Sequence, residues 1–217
     1  FLSATLPDDI LRLTEKSMKD PIKVNAISEG SSMSVATLDH RYFPISHERK
    51  QDLLLKVLER ENPKLGLIFT RTKIRADKLG KMLKEKGFKV RHIHGDLPQE
   101  KRERARVEFR SGKVNLLVAT DVMGRGIDVP GVSHVFNYDL PENAEDYLHR
   151  TGRSARMNAP GTAISFVTPD DADSLTSIEM LCNRLIDQDQ IPDFDIGSMQ
   201  RSPRKPKPGG RGGRGGG

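Results

Sequence analysis

Short apolar runs recur along this chain, separated by stretches of helical period, and that alternation restricts it to one kind of architecture. Leu65-Gly-Leu-Ile-Phe-Thr70, Val90-Arg-His-Ile93, Val114-Asn-Leu-Leu-Val-Ala119, Ser133-His-Val-Phe-Asn-Tyr138 and Thr162-Ala-Ile-Ser-Phe-Val167 have the length and residue types of buried strands. Lys73 to Lys86 carries Ile74, Leu79, Met82 and Leu83 at helical spacing, with Gly87 placed to end it. Pro98 to Arg110 reads as a charged helix with proline in its first turn. Ser46 to Arg60, Glu142 to Arg150 and Asp170 to Ile186 read as further helices. Strand, helix, strand with short Gly/Pro connections means right-handed crossovers, hence an α/β fold: a mainly parallel sheet with helices on both faces. Such sheets bind ligands outside the carboxyl ends of their strands. The chemistry is therefore expected just after Phe69, Ile93, Ala119 and Tyr138, where the sequence turns polar.

The ends of the chain read differently from this body. Phe1 to Thr5, a helix from Pro7 to Met18 opened by Asp8 and Asp9, and Ile22-Lys-Val24 are too few elements to fold alone. Residues 1–25 are expected to be the remnant of a preceding domain, and Phe1 reads as the interior of a longer protein. Residues 26–34 are polar and Gly/Ser-rich, an interdomain linker. Residues 35–190 form the main domain, and 191–217 are expected to be a disordered basic Gly/Arg-rich tail.

Charge separates the same pieces. The formal net charge is +6, but Arg201, Arg204, Lys205, Lys207, Arg211 and Arg214 lie beyond residue 200 with no acid among them. Without those six, 30 basic residues face 30 acidic ones. The body is balanced and the excess sits in the tail, which suits polyanions, nucleic acid first, and equally suits a solubilising end. No apolar run approaches the roughly 18 residues that would span a membrane. Cys182 is the only cysteine, so an internal disulfide and a Cys-rich zinc site are excluded, and a reducing, cytoplasmic location is expected.

Three strings after the strands can carry chemistry. His94-Gly-Asp96 followed by Pro98-Gln99-x-x-Arg102 sets an amide and an arginine on a helix start beside a tight turn, a phosphate-binding arrangement or a plain solvated helix face. Ala119-Thr-Asp-Val-Met-Gly-Arg-Gly-Ile-Asp128 has Gly124 and Gly126 for close backbone approach, and Asp128 as an acceptor for ribose hydroxyls; it also reads as a Gly-rich connection. His149-Arg-Thr-Gly-Arg-Ser-Ala-Arg156 spaces Arg150, Arg153 and Arg156 by three, either a phosphate-facing row or a basic surface helix.

In this order, with Ser3-Ala-Thr5 ahead of them, Leu67-Ile-Phe-Thr70-Arg-Thr72 between, and Asn137-Tyr-Asp-Leu-Pro141 before the last, these strings resemble the motifs of DEAD-box RNA helicases over about residues 1–185. The resemblance implies a RecA-like domain, the second of two that hold ATP and single-stranded RNA across their cleft. It implies that Arg153 and Arg156 act as arginine fingers and that Asp128 and Gly126 meet ATP. It puts Thr70, Arg71, Gly95, Gln99, Arg102 and Thr120 on the RNA backbone, and gives Ser3, Thr5, His149 and Arg150 a part in coupling the two domains. The chain departs from the family at Gly124, where alanine is usual, at Thr151, where isoleucine or valine is usual, and at Ala155, where glycine is usual. Neither G-x-x-x-x-G-K-[ST] nor D-E-A-D occurs. The Mg²⁺ ligands and the phosphate cradle are expected in the missing first domain, and this chain alone is expected not to hydrolyse ATP. Two other readings stay open: a related motor acting on DNA or chromatin, and a non-enzymatic RNA-binding module.

Overall fold

The computed structural model describes residues 38–124, 127, 129–154 and 161–200. The expectations for 1–37 and 201–217, and for Gly126, Asp128 and Arg156, lie outside the described residues. The elements are β1 (Leu38–Pro44), α1 (Lys50–Glu61), β2 (Gly66–Phe69), α2 (Lys73–Glu85), β3 (Val90–Ile93), α3 (Gln99–Arg110), β4 (Leu116–Ala119), the one-turn α4 (Asp121–Gly124), β5 (His134–Asn137), α5 (Ala144–Thr151), β6 (Gly161–Val167), α6 (Ala172–Cys182) and β7 (Asp187–Gln188). The strands form one sheet in the order β3-β4-β2-β5-β6-β1-β7, and every pairing is parallel.

Side-chain alternation explains the three layers. In β2, Ile68 faces a core with Leu54, Val57 and Leu58 of α1 and Ala76, Leu79 and Leu83 of α2. Its neighbours Leu67 and Phe69 face the other way, onto Ala105 and Phe109 of α3 and Met123 of α4. β4 divides in the same manner, Leu116 and Val118 to the first side, Leu117 and Ala119 to the second. Both strands are buried at every position, which is why they read as unbroken apolar runs. Tyr147 of α5 and Ile178 of α6 pack with Val167 in a third cluster. Helix ends follow local chemistry. Thr72 caps α2 by accepting the Arg75 N–H at 3.2 Å, and Asn143 caps α5 by accepting that of Glu145 at 3.0 Å. Gly87 closes α2 with φ of 87°, a conformation that costs other residues.

Two departures from expectation have physical causes. β1 has no strand signal of its own, because Leu-Asp-His-Arg-Tyr-Phe-Pro carries charge at alternate and adjacent positions; it becomes a strand by pairing with β6 over its whole length. The body also continues past residue 190. Ile191 and Phe194 pack against the main core, and the Ser46 N–H donates to Ile196 O at 2.8 Å. Arg60 grips Asp189 through both terminal nitrogens, at 3.1 and 2.5 Å, and Arg49 lies 5.3 Å over the Phe194 ring. Residues 191–196 therefore belong to the domain and not to the tail; the apolar residues are too few to stand out among the acids around them. Truncation after Gln190 removes this packing and a backbone hydrogen bond, and is expected to cost about 2–4 kcal/mol in urea-monitored unfolding.

Candidate functional site

Register brings the expected site residues to one edge. Ile93 of β3 pairs with Ala119 of β4, Ala119 with Phe69 of β2, and Phe69 with Asn137 of β5. Four neighbouring strands thus end at the same level. The segments that follow them, His94-Gly-Asp96, Thr120-Asp121, Thr70-Arg71 and Tyr138-Asp139, stand side by side in that order.

Arg150 organises the middle of this rim. It is 2% exposed and donates Nε and a terminal nitrogen to the two carboxylate oxygens of Asp121, at 2.6 and 2.8 Å. Its other terminal nitrogen donates to Asn137 Oδ1 at 3.1 Å and to the Asp139 carbonyl at 2.6 Å, while its guanidinium lies 4.9 Å over the Phe69 ring. One side chain thereby ties the ends of β2, β4 and β5 together. The resemblance had given Arg150 a part between domains. Within this domain its donors turn inward, where Asp121 and Asn137 offer a matched fork.

Asp139 is the second organiser. It is 2% exposed and receives Lys50 Nζ at 3.2 Å, Arg75 at 2.6 Å and the Arg71 backbone N–H at 2.9 Å. Burial pushes its pKa up, but Lys50, the Arg71 N–H and Arg75 outweigh burial and hold the carboxyl below its ordinary value. Burial draws the Lys50 ammonium below its usual range in spite of Asp139, and Lys50 also sits 5.1 Å over the Tyr138 ring. Asp139 lies in the Asn137–Pro141 string, so a signal for it existed; Lys50 and Arg75 are helix lysine and arginine with none.

The remaining expected residues differ in what they leave available. Thr70 is fully buried and donates to Thr72 O at 3.4 Å, so it shapes the turn. The Arg71 side chain is 45% exposed, with Asp171 3.5 Å away. Gly95 and Gln99 are exposed, and a Cβ on Gly95 would meet nothing within 4 Å. Arg102 reaches back over Met123, its terminal nitrogen 3.8 Å from the sulfur, and Thr120 is half-buried with its carbonyl accepting the Gly124 N–H at 2.8 Å. His149 is half-buried, its Nδ1 3.5 Å from Asp146. Arg153 is half-buried and donates Nε to His149 O at 3.2 Å and a terminal nitrogen to Ile127 O at 3.4 Å. Two carbonyls thus hold its guanidinium beside Ile127.

Two sequence departures are explained here. Thr151 is buried, and its hydroxyl donates to the Tyr147 carbonyl at 2.9 Å, so the polar atom is satisfied within its own helix. A Cβ on Gly124 would lie 2.2 Å from the Phe69 ring. In this chain the ring occupies the space an alanine methyl would need, so the exchange of one small residue for another is not neutral. Among the described residues, one group of three or more His, Cys, Asp or Glu side chains could share an ion, Asp77 with His92 and His94. Two imidazoles do not fit Mg²⁺, which takes oxygen donors.

A family model, the helicase conserved C-terminal domain, matches residues 49–158. This chain belongs to that family. Helicase C-terminal domains of the DEAD-box branch are its relatives by sequence and by fold. The DEAD-box ATP-dependent RNA helicase CshA of Bacillus licheniformis is 40% identical over 197 residues, 90% of this chain and 40% of CshA. The chain thus spans about 40% of the length of that curated relative. Escherichia coli DEAD-box protein SrmB, solved bound to regulator of ribonuclease activity A, matches with a TM-score of 0.70 and 36% identity, over 77% of this chain and 98% of that one. Saccharomyces cerevisiae Dbp5 bound to RNA and ADP BeF3 matches with a TM-score of 0.75 and 30% identity, over 86% of this chain and 49% of that one. The parallel sheet of this helicase domain is accordingly a RecA-like fold.

Two outcomes are expected from this geometry. Gly124→Ala should destabilise the domain by about 1–3 kcal/mol, and by less in a Phe69→Leu background, as read by a double-mutant cycle in urea. Asp139→Asn should cost about 3–5 kcal/mol at neutral pH, because it strands the Lys50 charge. The folded pKa of Asp139 is depressed, so its stabilisation is complete above its ordinary value of 3.8 and disappears as pH falls through the lower folded value. Urea midpoints measured across that acid window should fall less steeply in Asp139→Asn than in the parent.

Proposed function

We propose that this chain supplies the second motor domain of an ATP-dependent RNA helicase, providing arginine fingers and RNA-backbone contacts to a partner domain that carries the phosphate cradle and the Mg²⁺ ligands. One observation carries the reading: the ends of β3, β4, β2 and β5 lie level, so Gly95, Thr120 and Thr70-Arg71 form a continuous edge, with Arg153 anchored beside it by His149 O and Ile127 O.

The residues divide by what they leave free. Gly95 and Gln99 present an open turn and an exposed amide at the start of α3. Backbone N–H groups at a helix start, an amide and the half-exposed Arg71 are suited to phosphate oxygens and 2′-hydroxyls, which carry no base information and distinguish RNA from DNA. Thr70 and Thr120 shape the turns that hold this path. Arg153 and Arg156 would face the triphosphate, and Asp128 with Gly126 the ribose and its approach. Bound ATP supplies a γ-phosphoryl group whose charge spreads over its oxygens as the bond to ADP breaks. An arginine whose guanidinium is already placed by two carbonyls needs little reorganisation when the domains meet. Ser3, Thr5 and His149 would couple the two domains, while Arg150 positions the loops from within. RNA and nucleotide would both bridge the domains, so each favours closure and hence binding of the other. A cytoplasmic location and RNA binding by the basic Gly/Arg-rich tail belong to the same proposal.

The test joins this chain to a DEAD-box first domain and measures ATP turnover with and without single-stranded RNA. RNA-stimulated turnover is expected, and Arg153→Ala and Arg156→Ala should each lower kcat by about 10³-fold or more while RNA affinity changes little. The chain by itself, which has neither G-x-x-x-x-G-K-[ST] nor D-E-A-D, should show no Mg²⁺-dependent turnover. Unchanged turnover in both variants would remove the arginines from the finger role. RNA binding without turnover in the joined protein would favour a scaffold.

A further inference from the structure

Behind the turn at Gly95, α2 and β3 bring three metal-ligand side chains together. His92 and His94 are two residues apart, so both imidazoles leave the same face of the chain. Their rings lie parallel within 7°, with centroids 6.1 Å apart. Asp77 of α2 reaches both: its Oδ1 lies 3.0 Å from His92 Nε2 and 2.8 Å from His94 Nε2. The three donor atoms are all within 4.8 Å of one another. Gly80, one turn further along α2, permits the approach, since a Cβ there would sit 2.7 Å from His92 Nδ1.

We propose that Asp77, His92 and His94 form a binding site for a divalent transition-metal ion of the Zn²⁺ class, clamping α2 to the edge strand β3. Zn²⁺ binds imidazole nitrogen and carboxylate oxygen at about 2.0–2.2 Å, so donors sharing one ion stand about 2.9–3.4 Å apart, from octahedral to tetrahedral angles. The 3.0 Å separation lies within that range and the 2.8 Å separation just short of it. Asp77, 37% exposed on a helix surface, can withdraw the few tenths of an ångström required. Two imidazoles and one carboxylate select Zn²⁺, Cu²⁺, Ni²⁺ or Co²⁺ over Mg²⁺ and Ca²⁺, which distinguishes this ion from any that accompanies ATP. Without an ion, both Nε2–H groups can donate to the one carboxylate oxygen. With an ion, both nitrogens turn lone pairs to the metal and the protons move to Nδ1. His94 is 4% exposed and its Nδ1 has no hydrogen-bond partner, so that outer position is unsupported and affinity should fall below that of a four-ligand structural site. The site does not rest on the nucleotide or RNA reading.

The experiment titrates the 217-residue chain with Zn²⁺ by calorimetry and with Co²⁺ by visible absorption, and records Tm with and without Zn²⁺. Binding of one Zn²⁺ per chain, ligand-field bands of nitrogen- and oxygen-bound Co²⁺, and a Zn²⁺-dependent rise in Tm are expected. His92→Gln and Asp77→Asn alter partly exposed positions, and each should weaken Zn²⁺ binding by more than about tenfold and abolish the rise in Tm. His92→Cys restores a zinc ligand and should restore binding, whereas a purely structural role would make Cys and Gln equivalent. No uptake at free Zn²⁺ on the order of 100 μM would overturn the proposal. Equal uptake by parent, His92→Gln and Asp77→Asn would also overturn it, assigning the ion to other donors.

Discussion

Arg150 is the interaction on which the rim depends. The carboxyl edge of a parallel sheet gathers backbone carbonyls and loops with no helix to bind them to one another. Arg150 fills that gap from below, with five hydrogen-bond donors in a planar fork and an aromatic face beneath it. Breaking a buried, hydrogen-bonded pair of this kind costs about 3–5 kcal/mol, a large share of the 5–15 kcal/mol that stabilises a typical domain. The loops after β2, β4 and β5 hold their positions because one charged group is more stable paired to all of them than buried alone.

Asp139 extends the same logic to the neighbouring helices. Lys50 comes from α1, Arg75 from α2 and the Arg71 N–H from the turn after β2. Burial of the carboxylate is tolerable because two cations and a backbone N–H converge on it, and burial of Lys50 is tolerable because the carboxylate is there. The two networks meet within one residue, since Arg150 takes the Asp139 carbonyl while Lys50 and Arg75 take its side chain. With these charges turned inward, the rim keeps Gly95 and Gln99 exposed and the Arg71 side chain 45% exposed.

The Phe69–Gly124 contact illustrates how the floor constrains the loops above it. Phe69 ends β2, lies under the Arg150 guanidinium and occupies the space in which a side chain on α4 would begin. A change of one methyl group at Gly124 would therefore be transmitted to the ring, and from the ring to the arginine that holds three strands. Packing at this density leaves no cheap accommodation.

The sequence by itself determined the layer order and the location of the rim. Apolar runs at strand length, helical periods between them and capping residues such as Thr72, Asn143 and Gly87 are local signals, and parallel connectivity follows from chirality. The motif strings identified the loops that line the edge, because glycine, arginine and acidic residues directly after strands have few local reasons to be there. Tertiary structure decided which of those residues face outward. Nothing in the spacing of Arg150, Arg153 and Arg156 distinguishes an inward fork from an outward one; the choice came from Asp121 and Asn137, 29 and 13 residues away, which offered Arg150 a matched set of acceptors. β1 became a strand only through β6, more than a hundred residues on, and residues 191–196 joined the domain only through the core they cover. The approach of Asp77 to His92 and His94 was equally invisible, since a helix and an edge strand must first be packed before three unremarkable side chains can share one point in space.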